Sequence, residues 1–324
     1  MCDFLSIVKK SLFMGYNIHQ FQGNRRLPQA AKFKISYANM NLKLDCVPCL
    51  IRHSIEAARF VTNDESYQKL ILDGVMSTLL NMDISKSPPA LAKLIHKKIR
   101  EISGIADPYK EAKNKFNALA SSMIEELRVQ INRSTDPLIS SVKLAIAGNI
   151  IDSGAKTCLS EKEITDTVNS IFSETILGDI NEFIKDALKA KDILFLADNA
   201  GEIFFDRLLI EKLAHPNVTL AVRGYPVIND ATMEDATAAG LDKTVKVIEN
   251  GSDAPGTVLE ECSEEFRRYF IEADLVIAKG QGNYETLCEE KKIIYFLLRI
   301  KCPVIAEHTG FPVGSGAVIR SAQY

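Results

Sequence analysis

The chain has 324 residues, of which 46% are hydrophobic and 25% are charged, and its formal net charge is −3. No apolar run approaches the roughly 18 residues that a membrane-spanning helix needs, and an acidic chain is a poor sequence-independent binder of nucleic acid. We therefore expect a soluble cytoplasmic protein of about two domains that binds neither membranes nor nucleic acid.

Residues 1–39 differ in charge from the rest of the chain. They hold six basic residues against one acidic residue, a net charge of +5 that leaves −8 for the remainder. The segment has neither the apolar stretch nor the cleavage site of a secretory signal. Because a clearer periodicity begins at Met40, we predict that residues 1–39 are a disordered leader or a misassigned start.

Residues 40–185 are predicted to form a helical cap domain. Apolar residues recur at intervals of three and four from Leu50 to Val61 and from Ile71 to Leu79, which is the periodicity of an amphipathic helix. Breaks at 87–89 and 107–109, both rich in proline and polar residues, precede a long charged helix.

Two pairs of residues in this helical region carry candidate chemistry. Asn149 and Asp152 are three residues apart and share a helix face, where polar pairs usually cap a helix or satisfy each other. Cys46, Cys49 and His53 also share one face, at a helix start. A Cys-x-x-Cys pair with one His is one ligand short of a structural zinc site, so inert thiols and a second metal or redox site both stay open.

The seven cysteines are an odd number in a chain of this length, which does not suggest a disulfide framework. A reducing compartment is the simplest environment for so many thiols. Another residue, such as His308, could in principle complete a zinc site with Cys46 and Cys49.

The pattern of apolar residues changes at about residue 190. Short apolar runs separated by helix-length stretches are typical of βαβ units and a parallel sheet. We predict an α/β fold in which residues 186–324 form a Rossmann-like, three-layer α/β/α domain with a parallel-rich sheet, after an N-terminal all-helical domain. The predicted strands are Ile193–Ala197, Val218–Val222, Val245–Ile248, Leu275–Ala278 and Val304–Ala306.

Polar or glycine-rich residues follow each of these runs at once. In an open parallel sheet all such positions lie at the carboxyl edge, where ligands bind. The sequence therefore predicts one cleft formed by residues 198–199, 223–224, 249–252, 279–283 and 307–310.

Asp198, Asn199 and Asp230 are the candidate metal ligands in this cleft. Two carboxylates about 4 Å apart repel by roughly 4 kcal/mol at an effective dielectric near 20, so a site that juxtaposes them needs a cation. Carboxylate and amide oxygens favour hard ions such as Mg²⁺ or Mn²⁺. For an isolated Asp, a helix N-cap would be the simpler interpretation.

Phosphate chemistry is indicated beside these ligands. Gly201 lets backbone amides approach an anion at a helix N-terminus, and Glu202 is either a ligand-shell or general-base residue or a favourable charge for the helix dipole. Lys279 precedes a glycine-rich stretch in which Glu285 stands where a dinucleotide fingerprint needs its third glycine. A phosphate-binding nest with a Lys charge suits that stretch better.

Three motifs resemble those of the damage-control phosphatases, a metal-dependent family also called domain of unknown function 89, with relatives described as acidic-residue methyltransferases. The resemblance runs from about Met40 to the C-terminus. Three further segments are similar to its prokaryotic subfamily, namely Cys46–Cys49, Asp107–Tyr109 and Gly148–Asp152. The motifs are Asp198–Glu202, Arg223–Thr232 and Lys279–Asn283.

The resemblance implies hydrolysis of small phosphomonoesters with a divalent ion held by Asp198, Asn199 and Asp230. The ion is Mg²⁺ or Mn²⁺, with Co²⁺ and Ni²⁺ as further candidates. Asp198, Asp230 and Glu202 are the expected catalytic residues. The expected phosphate- or substrate-binding residues are Lys279, Gly201, Arg223, Asn149, Asp152 and Asn283.

The sequence leaves the nucleophile open between an Asp carboxylate and a water molecule activated by the metal. It also leaves the substrate open among damaged or excess phosphometabolites, sugar phosphates and phosphopantetheine-like compounds, and it does not indicate an oligomeric state. The alternatives are a carboxyl methyltransferase that uses S-adenosylmethionine and a non-catalytic phosphometabolite-binding protein.

Overall fold

One seven-stranded sheet organises the computed structural model, which describes residues 40–148 and 170–321. The strand order is β1-β7-β6-β5-β2-β3-β4, and neighbouring strands run parallel except for the antiparallel pair β6 and β7. The strands are β1 (Leu177–Gly178), β2 (Ile193–Leu196), β3 (Val218–Val222), β4 (Lys246–Glu249), β5 (Leu275–Lys279), β6 (Ile294–Arg299) and β7 (Gly316–Arg320).

Eleven α-helices lie within the described residues, five of them before the first strand. Those five are α1 (Val47–Val61), α2 (Glu65–Leu80), α3 (Pro88–Ser103), α4 (Lys110–Arg133) and α5 (Pro137–Ala147). The others are α6 (Ile180–Ala187), α7 (Glu202–Leu213), α8 (Met233–Ala238), α9 (Glu264–Glu272), α10 (Gly280–Leu287) and α11 (Pro303–Thr309).

The central strands are buried on both faces, and alternate residues of one strand enter different cores. Ile193 and Phe195 of β2 pack into a core with α4, α5 and α7, whereas Leu194 and Leu196 pack into a core with α9, α10 and α11. A third apolar cluster joins α1, α2 and α3. These layers confirm the predicted α/β class with a mostly parallel sheet.

Four of the five predicted strands are present, and the prediction of a strand at Val304–Ala306 is wrong. Those residues lie in α11, which begins at Pro303, where the fixed φ of proline favours a first helical turn. The predicted strand end at 307–310 is therefore the end of this helix, with Gly310 at a φ of +74°. The strand in this part of the sheet is β6, which falls in the apolar run 293–298; the length of this run fits a strand or a buried helix segment.

The predicted helices at Leu50–Val61 and Ile71–Leu79 lie within α1 and α2. The prediction that residues 40–185 are helical needs one correction, because β1 lies within this range and pairs with β7. The described residues belong to one compact unit, and the border between a cap domain at 40–185 and a second domain at 186–324 stays a prediction. The predicted leader at 1–39 lies outside the described residues.

Within residues 40–148 and 170–321, no helix combines the length and the apolar character that crossing a membrane requires.

Candidate active site

The turns that follow β2 and β3 pair with each other in an antiparallel bridge between Asn199 and Asp230. The amide of Ala200 donates to the carbonyl of Asn229 at 2.8 Å, and the amide of Ala231 donates to the carbonyl of Asp198 at 2.8 Å. This pairing brings together the three predicted metal ligands, which come from two different turns.

The Asn199 amide is hydrogen-bonded on both sides. Its Nδ2 donates to Asp198 Oδ2 at 2.8 Å and to Glu202 Oε2 at 2.9 Å. Its Oδ1 accepts from Nδ2 of Asn229 at 3.0 Å. The nitrogen therefore faces the two carboxylates, and the oxygen faces the turn that carries Asp230.

Asp198 lies in a strongly negative environment. Burial and the neighbouring carboxylates of Glu202 and Asp230 raise the pKa of Asp198 well above its usual range, against the opposing charges of Lys301 and Arg223. A cation at this carboxylate would offset both the burial and the like-charge repulsion.

Arg223 neutralises the other carboxylate. Its Nε donates to Asp230 Oδ2 at 2.6 Å, and its two terminal nitrogens contact Thr257 Oγ1 and Asn283 Oδ1 at 3.4 Å. Asn283 also accepts from Thr257 Oγ1 and donates to the carbonyls of Ala197 and Lys279. All four hydrogen-bonding positions of the Asn283 amide are thus engaged within the protein.

Lys279 is completely buried between two carboxylates. Its Nζ lies 2.7 Å from Glu202 Oε1 and 2.5 Å from Asp206 Oδ1, and it donates to the carbonyl of Ala145 in the last turn of α5 at 2.8 Å. Burial raises the pKa of Asp206 to about 7, although the Lys279 ammonium opposes this shift. Lys279 is therefore not a solvated surface lysine.

Helix α4 contributes two buried polar residues that the sequence motifs did not reveal. Asn117 accepts from the amide of Gly201 at 2.7 Å and donates to Asp235 Oδ1 at 2.8 Å. Lys113 Nζ lies 3.0 Å from Asp235 Oδ2, and Asp235 closes a capping box with Thr232. Helix α4 therefore ties the turn after β2 to the turn after β3.

The residues predicted to bind phosphate are distributed differently. Gly201, Arg223, Lys279 and Asn283 lie at the carboxyl edge, and the structure gives each a protein partner. Contact of these four residues with phosphate stays a prediction. It would require each residue to give up a hydrogen bond to its present protein partner. Asn149 and Asp152 lie outside the described residues.

Two further groups at this edge can attract an anion: the Lys301 ammonium, which is cationic, and the first turn of α10, whose backbone N–H groups are donors. Lys301 follows β6, and its charge acts on the Asp198 carboxylate. The glycine-rich stretch predicted as a loop is the start of α10, whose first N–H groups lack acceptors within the helix. A correct assignment of β6 would have placed Lys301 at the edge from sequence alone.

The charges of the described site fit a divalent cation. Four buried carboxylates, namely Asp198, Glu202, Asp206 and Asp230, face the two cations Arg223 and Lys279, which leaves a net charge of −2 when all are ionised. A buried excess of this size is relieved either by protonation, as the raised pKa values of Asp198 and Asp206 indicate, or by a counter-ion. The oxygen donors suit a hard metal.

A family described as the damage-control phosphatase ARMT1-like domain matches residues 42–316. The chain belongs to this family. Its membership confirms the resemblance inferred from the three motifs and the prediction of a phosphatase.

Relatives of this damage-control phosphatase family match over most of their length. An uncharacterized protein of Methanocaldococcus jannaschii is 39% identical over 297 residues, which cover 87% of this chain and 96% of that protein. A damage-control phosphatase of Archaeoglobus fulgidus is 36% identical over 275 residues, with coverage of 83% and 95%. The crystal structure of a family protein from Pyrococcus horikoshii has a TM-score of 0.81 at 31% identity, covering 88% of this chain and 100% of that one.

The Cys-x-x-Cys pair of this family member lies at the start of α1, as predicted. Cys46 is the N-cap residue and is half-buried, whereas Cys49 is exposed. Across the described ranges, no group of three or more His, Cys, Asp or Glu side chains is arranged to hold a metal ion, which applies to the carboxylates of the site as well as to the Cys pair. The candidate set of Asp198, Asn199 and Asp230 contains two carboxylates and one amide. His308 Nδ1 bonds to the hydroxyl of Tyr284. A second metal or redox role for Cys46 and Cys49 stays a prediction.

Glu285 predicts a pH-dependent stability for this damage-control phosphatase. Burial raises its pKa to about 7, against the hydrogen bond from Gln281 and the charge of Lys301. The folded state then binds a proton that the unfolded state releases near pH 4.5, so this contribution to stability is full below that pH and is lost as pH rises through 7. Glu285→Gln should therefore stabilise the protein more at pH 8 than at pH 5, by about 2 kcal/mol.

Urea unfolding of both proteins at the two pH values measures this difference. The control is Glu125→Gln, which changes an exposed carboxylate on α4 and should show no such pH dependence. An equal effect of Glu285→Gln at both pH values would show that the carboxyl group titrates normally.

Proposed function

We propose that this chain hydrolyses small phosphomonoesters with Mg²⁺ or Mn²⁺ held by Asp198, Asn199 and Asp230. The observation that carries the proposal is the backbone bridge between Asn199 and Asp230, which joins the two turns that carry the proposed ligands. Membership of the damage-control phosphatase family and the buried excess of negative charge support it.

The bound ion would supply Lewis-acid stabilisation of the charge on the phosphoryl oxygens. Asp198 and Asp230 would hold the ion together with the Asn199 oxygen, and Arg223 keeps Asp230 fixed through the 2.6 Å contact with its carboxylate. The first turn of α10 presents backbone donors to the remaining phosphoryl oxygens, since a helix N-terminus favours anions. Lys301, at the end of β6, adds positive charge on the same edge.

The substrate class we propose is small phosphorylated metabolites, damaged or in excess. The names of the archaeal relatives support this class without specifying a compound. Glu202 is proposed to act beside the metal ligands, because Glu202 Oε2 accepts from the amide of Asn199. This contact orients Asn199, a proposed metal ligand. A general-base role for Glu202 would require its carboxylate to release Asn199 or Lys279.

Removal of the metal should abolish activity. We expect the full-length protein to release phosphate from an aryl phosphate with Mg²⁺ or Mn²⁺, to lose this activity in excess chelator, and to regain it when the ion is restored. Screening a panel of phosphometabolites with Mg²⁺, Mn²⁺, Co²⁺ and Ni²⁺ then identifies the preferred pair. Metal-independent methyl transfer from S-adenosylmethionine, or ligand binding without phosphate release, would contradict the proposal.

Lys301→Met should weaken substrate binding more than the chemical step. Loss of a hydrogen bond to a charged group costs about 1.5–3 kcal/mol, which corresponds to a 10- to 100-fold fall in kcat/KM, mainly through KM. Steady-state kinetics with saturating metal measure this.

The matched control for this variant is Lys243→Met. Lys243 is an exposed lysine that precedes β4, at the opposite edge of the sheet, and its loss should leave both constants unchanged. A Lys301→Met variant with wild-type KM would remove Lys301 from the phosphate site.

A further inference from the structure

Asp206 is a buried carboxylate four residues after Glu202 on α7, outside the three strand-end motifs. Its side chain is 0% exposed, and within the described residues its Oδ2 has no hydrogen-bond partner. A buried carboxylate is costly unless it is paired, and a buried polar atom without a partner calls for an explanation. The three motifs of the sequence do not explain this buried carboxylate, because Asp206 lies outside all of them.

We propose that Asp206 is a positioning residue that acts through Lys279 and Glu202 to hold the Asn199 amide with its oxygen toward the turn that carries Asp230, the other side from the Asp198 and Glu202 carboxylates. The proposal rests on the proposed function, in which Asn199 is a metal ligand. The contacts form one continuous path. Asp206 Oδ1 lies 2.5 Å from Lys279 Nζ, which lies 2.7 Å from Glu202 Oε1, and Glu202 Oε2 accepts from Asn199 Nδ2 at 2.9 Å.

The orientation of the Asn199 amide matters because its two ends have opposite chemistry. The oxygen can bind a hard cation, whereas the NH₂ group donates and cannot. The carboxylates of Glu202 and Asp198 both accept from Nδ2, so this end of the amide is fixed and Oδ1 faces Asn229. A displaced Glu202 would remove one of the two acceptors and free the amide to turn.

Asp206 supplies a charged acceptor that fixes the Lys279 ammonium, and the fixed ammonium in turn holds the Glu202 carboxylate. A lysine ammonium has three donors on a flexible chain, and here they meet Ala145 O, Glu202 Oε1 and Asp206 Oδ1. Without the Asp206 carboxylate one donor would lose its charged acceptor in a buried setting, which is unfavourable. The ammonium would then shift and take Glu202 with it.

Helix α5 also contributes to this path of contacts. The carbonyl of Ala145 lies in the last turn of this helix, where the dipole favours a cation. A Cβ added at Gly148, directly after α5, would come within 2.8 Å of Glu202 Cγ. The end of α5 therefore packs on the same carboxylate that Asp206 and Lys279 hold.

Binding of Mn²⁺ to the full-length Asp206→Asn variant tests the proposal. Free Mn²⁺ is measured by its electron paramagnetic resonance signal, without any turnover. We expect the dissociation constant to rise by about 10- to 100-fold, the usual effect of losing a residue that supports a metal ligand. At saturating Mn²⁺, kcat should return to within about threefold of wild type, since Asp206 is fully buried and would act only through Lys279 and Glu202.

A double-mutant cycle shows whether Asp206 acts through Glu202. Glu202→Gln should weaken Mn²⁺ binding, and the Asp206→Asn/Glu202→Gln double variant should be no weaker than Glu202→Gln alone, because both changes break one path. The control is Glu174→Gln, which breaks the 2.7 Å ion pair between Glu174 and Arg299 and should not change Mn²⁺ affinity.

Unchanged Mn²⁺ affinity in folded Asp206→Asn, or effects that add in the double variant, would overturn the proposal. If Asp206→Asn does not fold, Asp206→Ala takes its place, and failure of both to fold would assign Asp206 a purely structural role and also overturn it. A wild-type protein that neither binds Mn²⁺ nor releases phosphate would instead refute the proposed function, and this inference with it.

Discussion

Asp198→Asn is expected to lower phosphatase turnover by a factor on the order of 10³ and, at the same time, to stabilise the metal-free protein. The loss of turnover follows from the removal of a charged ligand at the point where charge develops in the transition state. The gain in stability follows from the relief of repulsion from Glu202 and Asp230, the carboxylates that together with burial raise the pKa of Asp198.

The stabilisation should be about 1 kcal/mol, a size common when a functional group is removed from a strained active site. Asparagine is close in shape to aspartate, and its oxygen can still accept from Asn199 Nδ2, so the turn should keep its structure. Thermal unfolding in chelator measures the gain, and phosphate release with Mn²⁺ measures the loss. Addition of Mn²⁺ should raise the melting temperature of the wild type only, since a ligand stabilises just the state that binds it.

Asp242→Asn is the matched control, because Asp242 is an exposed carboxylate just before β4, at the opposite edge of the sheet. It should change neither quantity. Metal-dependent turnover that survives in Asp198→Asn would remove Asp198 from the ligand set. A lower stability of the metal-free variant would show that the carboxylate is paired favourably.

The sheet could be predicted where strands are buried on both faces and read as continuous apolar runs, as in β2 and β5. The same rule failed at Val304–Ala306, because three apolar residues fit one helical turn as well as a short strand. Strand β7, at Gly316–Arg320, pairs antiparallel with β6, and a return strand of this kind has no place in a repeating βαβ pattern.

The site could be predicted where its residues follow strands, because the carboxyl edge of a parallel sheet gathers them regardless of sequence distance. Lys113 and Asn117 come from a helix far earlier in the chain and could not be placed this way. One signal does exist, since the two continue the spacing of Ala120, Ile124 and Leu127 along the buried face of α4. Polar residues on an apolar stripe indicate a buried polar contact.

The contacts of Lys279 could not be predicted from its position at the end of a strand. A lysine directly after a buried strand predicts an anion ligand when only local sequence is considered. The acceptors that surround it, Asp206 and the carbonyl of Ala145, are 73 and 134 residues away in the chain. Such contacts depend on how α5 and α7 pack together, which no local pattern specifies.

Gly280→Ala is expected to reduce kcat/KM by about 100-fold or more, an effect typical of a displacement of about 1 Å in an active site. Gly280 opens α10 at a φ of +77°, and a Cβ there would lie 1.9 Å from Asp198 Oδ2 and 2.2 Å from Asp198 Cγ. No rotation of a methyl group relieves contacts this short. The Asp198 carboxylate must therefore move away from Asn199 and the bridged turns, and Mn²⁺ affinity should fall with activity.

Gly104→Ala separates this displacement from backbone strain. Gly104 ends α3 at a φ of +69°, but no atom lies within 4 Å of a Cβ built there. Both substitutions should lose about 1–2 kcal/mol of stability from the placement of an alanine in the left-handed region, and Gly280→Ala should lose more because its methyl group also displaces Asp198. Only Gly280→Ala should also lose Mn²⁺ binding and turnover, because only its methyl group meets a metal ligand. Equal kinetics in the two variants would show that the close approach of Gly280 to Asp198 is not needed for the reaction.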